Sequence, residues 1–271
     1  MNTEEKSRFK EADLQRIRGL RLMDDDYITV CFDCNLEATE QVLNVLLERT
    51  DLKVTEVVGQ RELKNPNGRS IRLDIHAMDS EHKSYDVEIQ RASRGATAQR
   101  ARFHSSMLDS RLLKVSEEFS ALAESYVIFI TEKDVLGKGL PMYHVNQYIE
   151  EMDELFGDGS HILYVNGEYE NSDPVGKLMH DFRCTDAENM NYEQLATRVR
   201  YFKESERGRE HMCKIFEDVA KEAVQADRQE RNRISIQEML NDGMVIEKIA
   251  KYLHITVEEA EEYAKAASAI A

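Results

Sequence analysis

The stretch RLDIHAMDSEHKSYDVEIQ, from Arg72 to Gln90, decides how the rest of the chain is read. Two alternating segments flank a polar DSEHK turn, which is the pattern of a β-hairpin. On the first strand Ile71, Leu73, Ile75 and Ala77 share one face, and Arg72, Asp74 and His76 share the other. On the second, Tyr85, Val87 and Ile89 point one way and Asp86, Glu88 and Gln90 the other. A turn centred on Glu81 sets Asp74 opposite Glu88, His76 opposite Asp86 and Arg72 opposite Gln90. Facing Cβ atoms in such a ladder lie roughly 4.5–5.5 Å apart, so two carboxylates there repel unless a positive charge sits between them. A divalent cation meets that need. A solvent-facing polar strand face alternates in the same way without one. His76 either tunes the pair or hydrogen-bonds Asp86.

The flanking sequence places the hairpin in a larger sheet. A helical lead-in over residues 1–23 ends in the acidic turn Asp24-Asp25-Asp26. Asn35 caps a helix expected over residues 36–49, followed by a strand over 54–63 and a Pro-Gly loop. Beyond Gln90 comes a helix over residues 97–115, then the apolar run YVIFIT at 126–131, and shorter strands near 141–146 and 161–165. That order predicts an α/β (α+β) core, a mixed sheet flanked by helices over residues 24–190. From residue 191 onward the pattern is all helical, ending in a helix-turn-helix-like unit from Gly243. The second helix of that unit carries Glu258, Glu259, Glu261 and Glu262, which repel DNA; packing or homo-oligomerisation suits it better.

Charge is unevenly spread. The chain of 271 residues has a net charge of −16, which argues against wrapping a polyanion wholesale. Residues 91–115 run the other way, with Arg91, Arg94, Arg100, Arg102, Arg111 and Lys114 against the single acid Asp109. On a helical wheel Arg100, His104 and Arg111 form a stripe beside the apolar Ala101, Leu108, Leu112 and Val115. Such a stripe looks into a cleft beside the sheet or is simply solvated. Arginine forks match phosphate oxygens. Glu37, near the start of the first long helix, suits the helix dipole and is also a possible additional acid for the cation.

Other classes find little support. No apolar run reaches a membrane span, and the charged N-terminus is no signal peptide, so a cytoplasmic location is expected. Cys31 and Cys34 have CxxC spacing but no second pair, so ordinary thiols are expected rather than zinc. A facing carboxylate pair also occurs in retaining glycosidases, but the chain has no Trp for sugar stacking and the basic helix would have no task.

Asp74, the Glu88-Ile89-Gln90 triplet and the arginine-bearing helix after it resemble the PD-(D/E)XK nuclease superfamily. The likeness is greatest to its nuclease-family transposase, or recombination-promoting nuclease, branch. The element order over residues 24–131 and the tail GMVIEKIAKYLHITVEEAEEY resemble that branch as well. Two positions depart from the superfamily pattern: Leu73 stands where proline precedes the first acid, and Gln90 stands where lysine is usual, although the branch carries glutamine there. The resemblance implies a restriction-endonuclease-like fold and metal-dependent cleavage of DNA phosphodiesters. It implies Asp74 and Glu88 as ligands of Mg²⁺ or Mn²⁺, with the Ile89 backbone carbonyl as a further donor. Gln90 would orient water, and Arg91, Arg100, Arg102 and Arg111 would hold phosphates. A nuclease fold that binds DNA or protein without cutting is the alternative.

Overall fold

In a computed structural model, described for residues 9–66, 68–92 and 95–268, the hairpin forms as the sequence predicts. Asp79 closes the turn: its Oδ1 accepts the N–H groups of Glu81 and Lys83 at 2.8 and 2.9 Å, and its Oδ2 accepts the Tyr85 hydroxyl at 2.7 Å. His82 takes the left-handed φ of 63° that the tight turn requires. β1 (Val54–Leu63) runs antiparallel to β2 (Ile71–Asp79), which pairs antiparallel with β3 (Ser84–Gln90). The expected register holds for four pairs, Ile75 opposite Val87, His76 opposite Asp86, Ala77 opposite Tyr85 and Met78 opposite Ser84; the expected Asp74–Glu88 and Arg72–Gln90 pairs are not part of the ladder. β4 (Ser125–Thr131) lies parallel to β3. β5 (Met142–Val145) forms an edge, while β6 (Tyr148–Ile149) and β7 (Glu154–Leu155) make a separate two-stranded ladder. β8 (Ser160–Asn166) completes a mixed sheet of order β1-β2-β3-β4-β8-β5 among the described residues.

The register carries one departure that shapes the site. Ile71 and Leu73 pack with Ala101, Leu108, Val127 and Phe129. Ile75 and Ala77 instead pair with Val87 and Tyr85, which alternate with Asp86 and Glu88. The four apolar residues therefore do not share one face; β2 turns over at Asp74. Its neighbour turns with it: Gln60 has a φ of 50° between the pairs Gly59–Ile75 and Arg61–Leu73. A residue in the left-handed region re-aims the strand, as a bulge does. The reason lies in composition: a charged residue at 74 and a glycine at 59 bring little apolar side chain to hold either strand flat.

Helices cover both faces. α1 (Glu11–Gly19) and α2 (Asp25–Phe32) precede α3 (Leu36–Leu46), where Asn35 Oδ1 accepts the Ala38 N–H at 3.2 Å. α2 and α3 pack on β1, while α4 (Ala98–Leu112) lies over β3, β4 and β8. Thr97 Oγ1 caps α4 by accepting the Arg100 N–H at 3.2 Å. α5 (Pro174–Arg183) starts with proline after the capping Asp173, and α6 (Glu193–Glu204) packs with α3. Residues Asp24 to Asp26 do not end a helix, as the sequence suggested. They begin α2, where Asp25 and Asp26 suit the positive N-terminal dipole. α4 stops three residues short of its predicted end, and Val115 is almost fully exposed. The lead-in expected over residues 1–23 is described only from residue 9.

The chain divides into two compact units, Met1–Arg209 and Glu210–Ala271. α6, beyond the boundary expected at residue 191, belongs to the first unit, burying Leu195, Ala196, Val199 and Phe202. Lys203 ties that unit together. Its Nζ donates to the carbonyls of Arg18, Leu20 and Thr185 at 3.0, 2.6 and 2.5 Å, and it is buried. Lys203→Met leaves these three carbonyls without this donor, so urea denaturation should show a loss of about 1–3 kcal/mol. A loss under 0.5 kcal/mol contradicts the assignment.

α7 (Glu206–Asn241) spans the division. In the second unit α8 (Ile246–Leu253) ends at His254, in the left-handed conformation, and α9 (Val257–Ser268) begins on a reciprocal capping box. Thr256 N–H donates to Glu259 Oε2 at 2.9 Å, and Glu259 N–H donates to Thr256 Oγ1 at 3.1 Å. Ile236, Ile249, Ala250 and Ala260 form a small core of their own. No described helix is long and apolar enough to cross a membrane.

Candidate metal centre

The turnover of β2 ends its ladder with β3 and frees two side chains to reach across the gap. Asp74 N–H donates to Glu88 Oε1 at 3.0 Å, and Ile89 N–H donates to Asp74 Oδ2 at 2.9 Å. Each carboxylate thus replaces a ladder bond that the other strand has lost. Asp74 and Glu88 meet where the sequence placed them, through this clasp rather than as a flat pair.

Glu88 is fully buried, as is Asp86 two residues before it on the same face. Burial, and next the charge of Asp86, push Glu88 up to about 8. Burial, with the charge of Glu88 next, pushes Asp74 up to about 7; Asp25 at the start of α2 adds to the repulsion. Burial raises Asp86 to about 8 against a lowering hydrogen bond with Glu88. Arg100 is the cation in contact: its Nη2 donates to Glu88 Oε2 at 2.5 Å. Its Nη1 donates to Gln90 Oε1 at 3.1 Å and to the Gly95 carbonyl at 3.2 Å.

One guanidinium faces three crowded carboxyls, of which Asp86 and Glu88 are buried and Asp74 half-buried. Asp86 Oδ1, buried, meets no hydrogen-bond donor. Carboxylate oxygens in surplus are the donor set of a hard divalent cation, so the residues fit Mg²⁺ or Mn²⁺. Asp86, Glu88 and His104 also each offer one ligand atom, mutually within 4.8 Å. His104 is a poor member of that set. Arg100 Nε–H donates to His104 Nε2 at 3.3 Å, and a guanidinium can only donate. Nε2 therefore holds the lone pair and Nδ1 the proton, which goes to Asp86 Oδ2 at 2.7 Å. With both ring nitrogens engaged, the oxygens of Asp74 and Glu88 are the better donors.

Arg100 and His104 also line an adjoining cleft of about 910 Å³, with Arg69, Arg72, Arg102, Thr97 and Phe103 among the rest and, among the described residues, no carboxylate. Among the described residues no ion pair engages Arg69, Arg72 or Arg102. The other predicted phosphate binders are spoken for. Arg91 pairs with Asp24 at 3.3 Å and Glu132 at 3.4 Å, and Arg111 donates to the Lys64 carbonyl. Arg94 lies outside the described residues. Glu37 lines a different cavity, with Glu40, Gln41, Asp173 and Tyr192; the additional acid near Asp74 is Asp25. His76 bonds Ser84 and Arg61, each at 2.9 Å, rather than Asp86. Burial pushes the Cys31 thiol up to about 12, while Cys34 is an exposed free thiol.

Sequence reasoning missed Asp25, Arg69, Arg72 and the Asp86–His104 contact. The last was half visible, since His104 lay on the Arg100 stripe and Asp86 on the Glu88 face. Gly95 was read only as a loop residue. A Cβ there would overlap Gln90 Oε1 and come within 3.5 Å of Arg100 Nη1. Gly95→Ala should therefore displace the Gln90 side chain, and with it the Arg100–Gln90 hydrogen bond, while sparing the fold. The Gln90 side-chain amide resonances should shift in NMR, with the melting temperature nearly unchanged. Unchanged Gln90 resonances contradict the close packing.

A mixed sheet flanked by helices, with acids clasped at the open end of its antiparallel pair, defines a restriction-endonuclease-like α/β protein. The chain belongs to the family described as PD-(D/E)XK nuclease family transposase, whose model matches residues 33–173. The match includes Asp74, Glu88, Gln90 and Arg100, and leaves out Asp25 and the helices from α5 onward. Comparison with curated proteins and with solved structures finds no match. Family membership supports a nuclease-type, transposase-associated role.

Proposed function

We propose that the chain is a divalent-cation-dependent DNA endonuclease. The observation that carries this reading is the Asp74–Glu88 clasp beside an arginine-lined cleft that contains no carboxylate. Asp74 and Glu88 hold Mg²⁺ or Mn²⁺, with the Ile89 carbonyl as a further oxygen donor. Such an ion, when bound, polarises the scissile phosphate and lowers the pKa of an attacking water. Arg69, Arg72 and Arg102 bind backbone phosphates along the cleft and set the strand's register. Gln90 accepts from Arg100 through Oε1, which leaves its amide N–H groups to orient a water or phosphate oxygen.

Supercoiled plasmid incubated with the protein and Mg²⁺ should be nicked, and EDTA should stop the reaction. Equal cleavage in EDTA sinks the proposal. Arg72→Ala or Arg102→Ala should weaken binding to duplex DNA and lower the slope of log affinity against log salt by about 1 each. An unchanged slope removes that residue from the phosphate contacts.

A second reading, a nuclease fold that binds without cutting, is favoured by Gln90, which cannot transfer a proton as lysine does. It predicts DNA binding that needs the cleft arginines but no cation. Calorimetric Mn²⁺ binding that disappears in Glu88→Gln counts against it.

A further inference from the structure

Asp86 and His104 are the best-defined buried polar groups that the proposed reaction leaves unused. His104 is a neutral imidazole whose tautomer is fixed from both ends: Nδ1–H to Asp86 Oδ2 at 2.7 Å, and Nε2 from Arg100 Nε–H at 3.3 Å. Both residues are buried, and the His104 ring lies 6.0 Å from Phe129, so its plane is set by packing as well. The guanidinium is planar. Fixing its Nε–H direction therefore fixes where its two terminal nitrogens point, which is at Glu88 Oε2 and at Gln90 Oε1 with the Gly95 carbonyl.

We infer that Asp86 and His104 are positioning residues: Asp86 holds the histidine in its Nδ1–H tautomer, and the histidine's Nε2 directs Arg100 onto Glu88 and Gln90. The pair acts through Arg100. A plain core role predicts a different behaviour, since a core histidine has no reason to present a lone pair to one arginine N–H. Asp86→Leu is informative because it removes the acceptor that holds the ring proton on Nδ1. A proton moved to Nε2 would set two N–H groups face to face, and Arg100 would leave its place.

The consequence for catalysis rests on the proposed nuclease reading, but the tautomer does not. Nitrogen NMR of the full-length protein without metal should show His104 as the Nδ1–H tautomer, with Arg100 Hε slow to exchange. Asp86→Leu should weaken and His104→Leu abolish that protection, whereas His104→Gln, which keeps an acceptor, should retain it. In plasmid nicking with Mg²⁺, His104→Leu should lower kcat about tenfold or more with KM little changed. His104→Gln should restore most of it. An Nε2–H tautomer in the unaltered protein, or equal Arg100 Hε protection in His104→Leu, overturns the inference. Were the unaltered protein not to nick DNA at all, the nuclease reading would fail while the NMR test still decided this one.

Discussion

Glu88→Gln and Asp74→Asn should each reduce Mg²⁺-dependent nicking by about 10³-fold or more, equivalent to about 4 kcal/mol of transition-state stabilisation. Both substitutions keep shape and remove charge. In Asp74→Asn the amide oxygen can still accept the Ile89 N–H, and in Glu88→Gln it can still accept from Asp74, so the clasp persists. What is lost is the anionic oxygen pair that a cation needs. Each variant should remain folded by circular dichroism and should lose Mn²⁺ binding in parallel with activity. Nicking that survives both substitutions removes these residues from the chemistry. A variant that keeps Mn²⁺ affinity and loses activity alone would assign that residue a role other than ligand.

The metal-free protein should become less stable as pH rises from about 5 to about 8. Asp74, Asp86 and Glu88 are raised by burial and mutual repulsion to about 7, 8 and 8. A folded-state pKa above the unfolded value means the folded chain keeps a proton that the unfolded chain releases. Folding then takes up protons across this window, and stability is lost as pH climbs through it. Each pH unit of displaced titration is worth about 1.4 kcal/mol per group before coupling reduces it. The melting temperature in EDTA should fall by several degrees over the window. Asp86→Asn should flatten the slope, and added Mg²⁺ at pH 8 should recover most of the loss by binding the ionised form. A flat profile in EDTA, with no response to Mg²⁺, contradicts the picture of crowded carboxyls.

Much of this was legible from the hairpin alone. Period-two alternation and the polar turn gave the strands, and the register of Ile75 with Val87 through Met78 with Ser84 followed from the turn centre. The sequence did not disclose where regular pairing stops. Alternation assumes a flat ladder, yet Gln60 in the left-handed region and the turnover at Asp74 move Leu73 and Ile75 to opposite sides. That irregularity brings Asp74 and Glu88 into their clasp, and no periodicity encodes it. Long-range partners were hidden for a related reason. Asp25 reaches the site because α2 packs on the sheet, whereas Glu37, chosen for its place on the first long helix, faces another cavity. Arg100 was found as part of a basic stripe, but its attachment to Glu88, Gln90 and His104 needed the relative placement of α4 and β3.

Asp74 and Glu88 are the proposed ligands of the cation. Crystals soaked in MnCl₂ and measured at the manganese absorption edge test this most directly. An anomalous peak within about 2.5 Å of both carboxylates is the expected result. A peak coordinated by Asp86 and His104 without Asp74, or no peak between Asp74 and Glu88, would contradict the account.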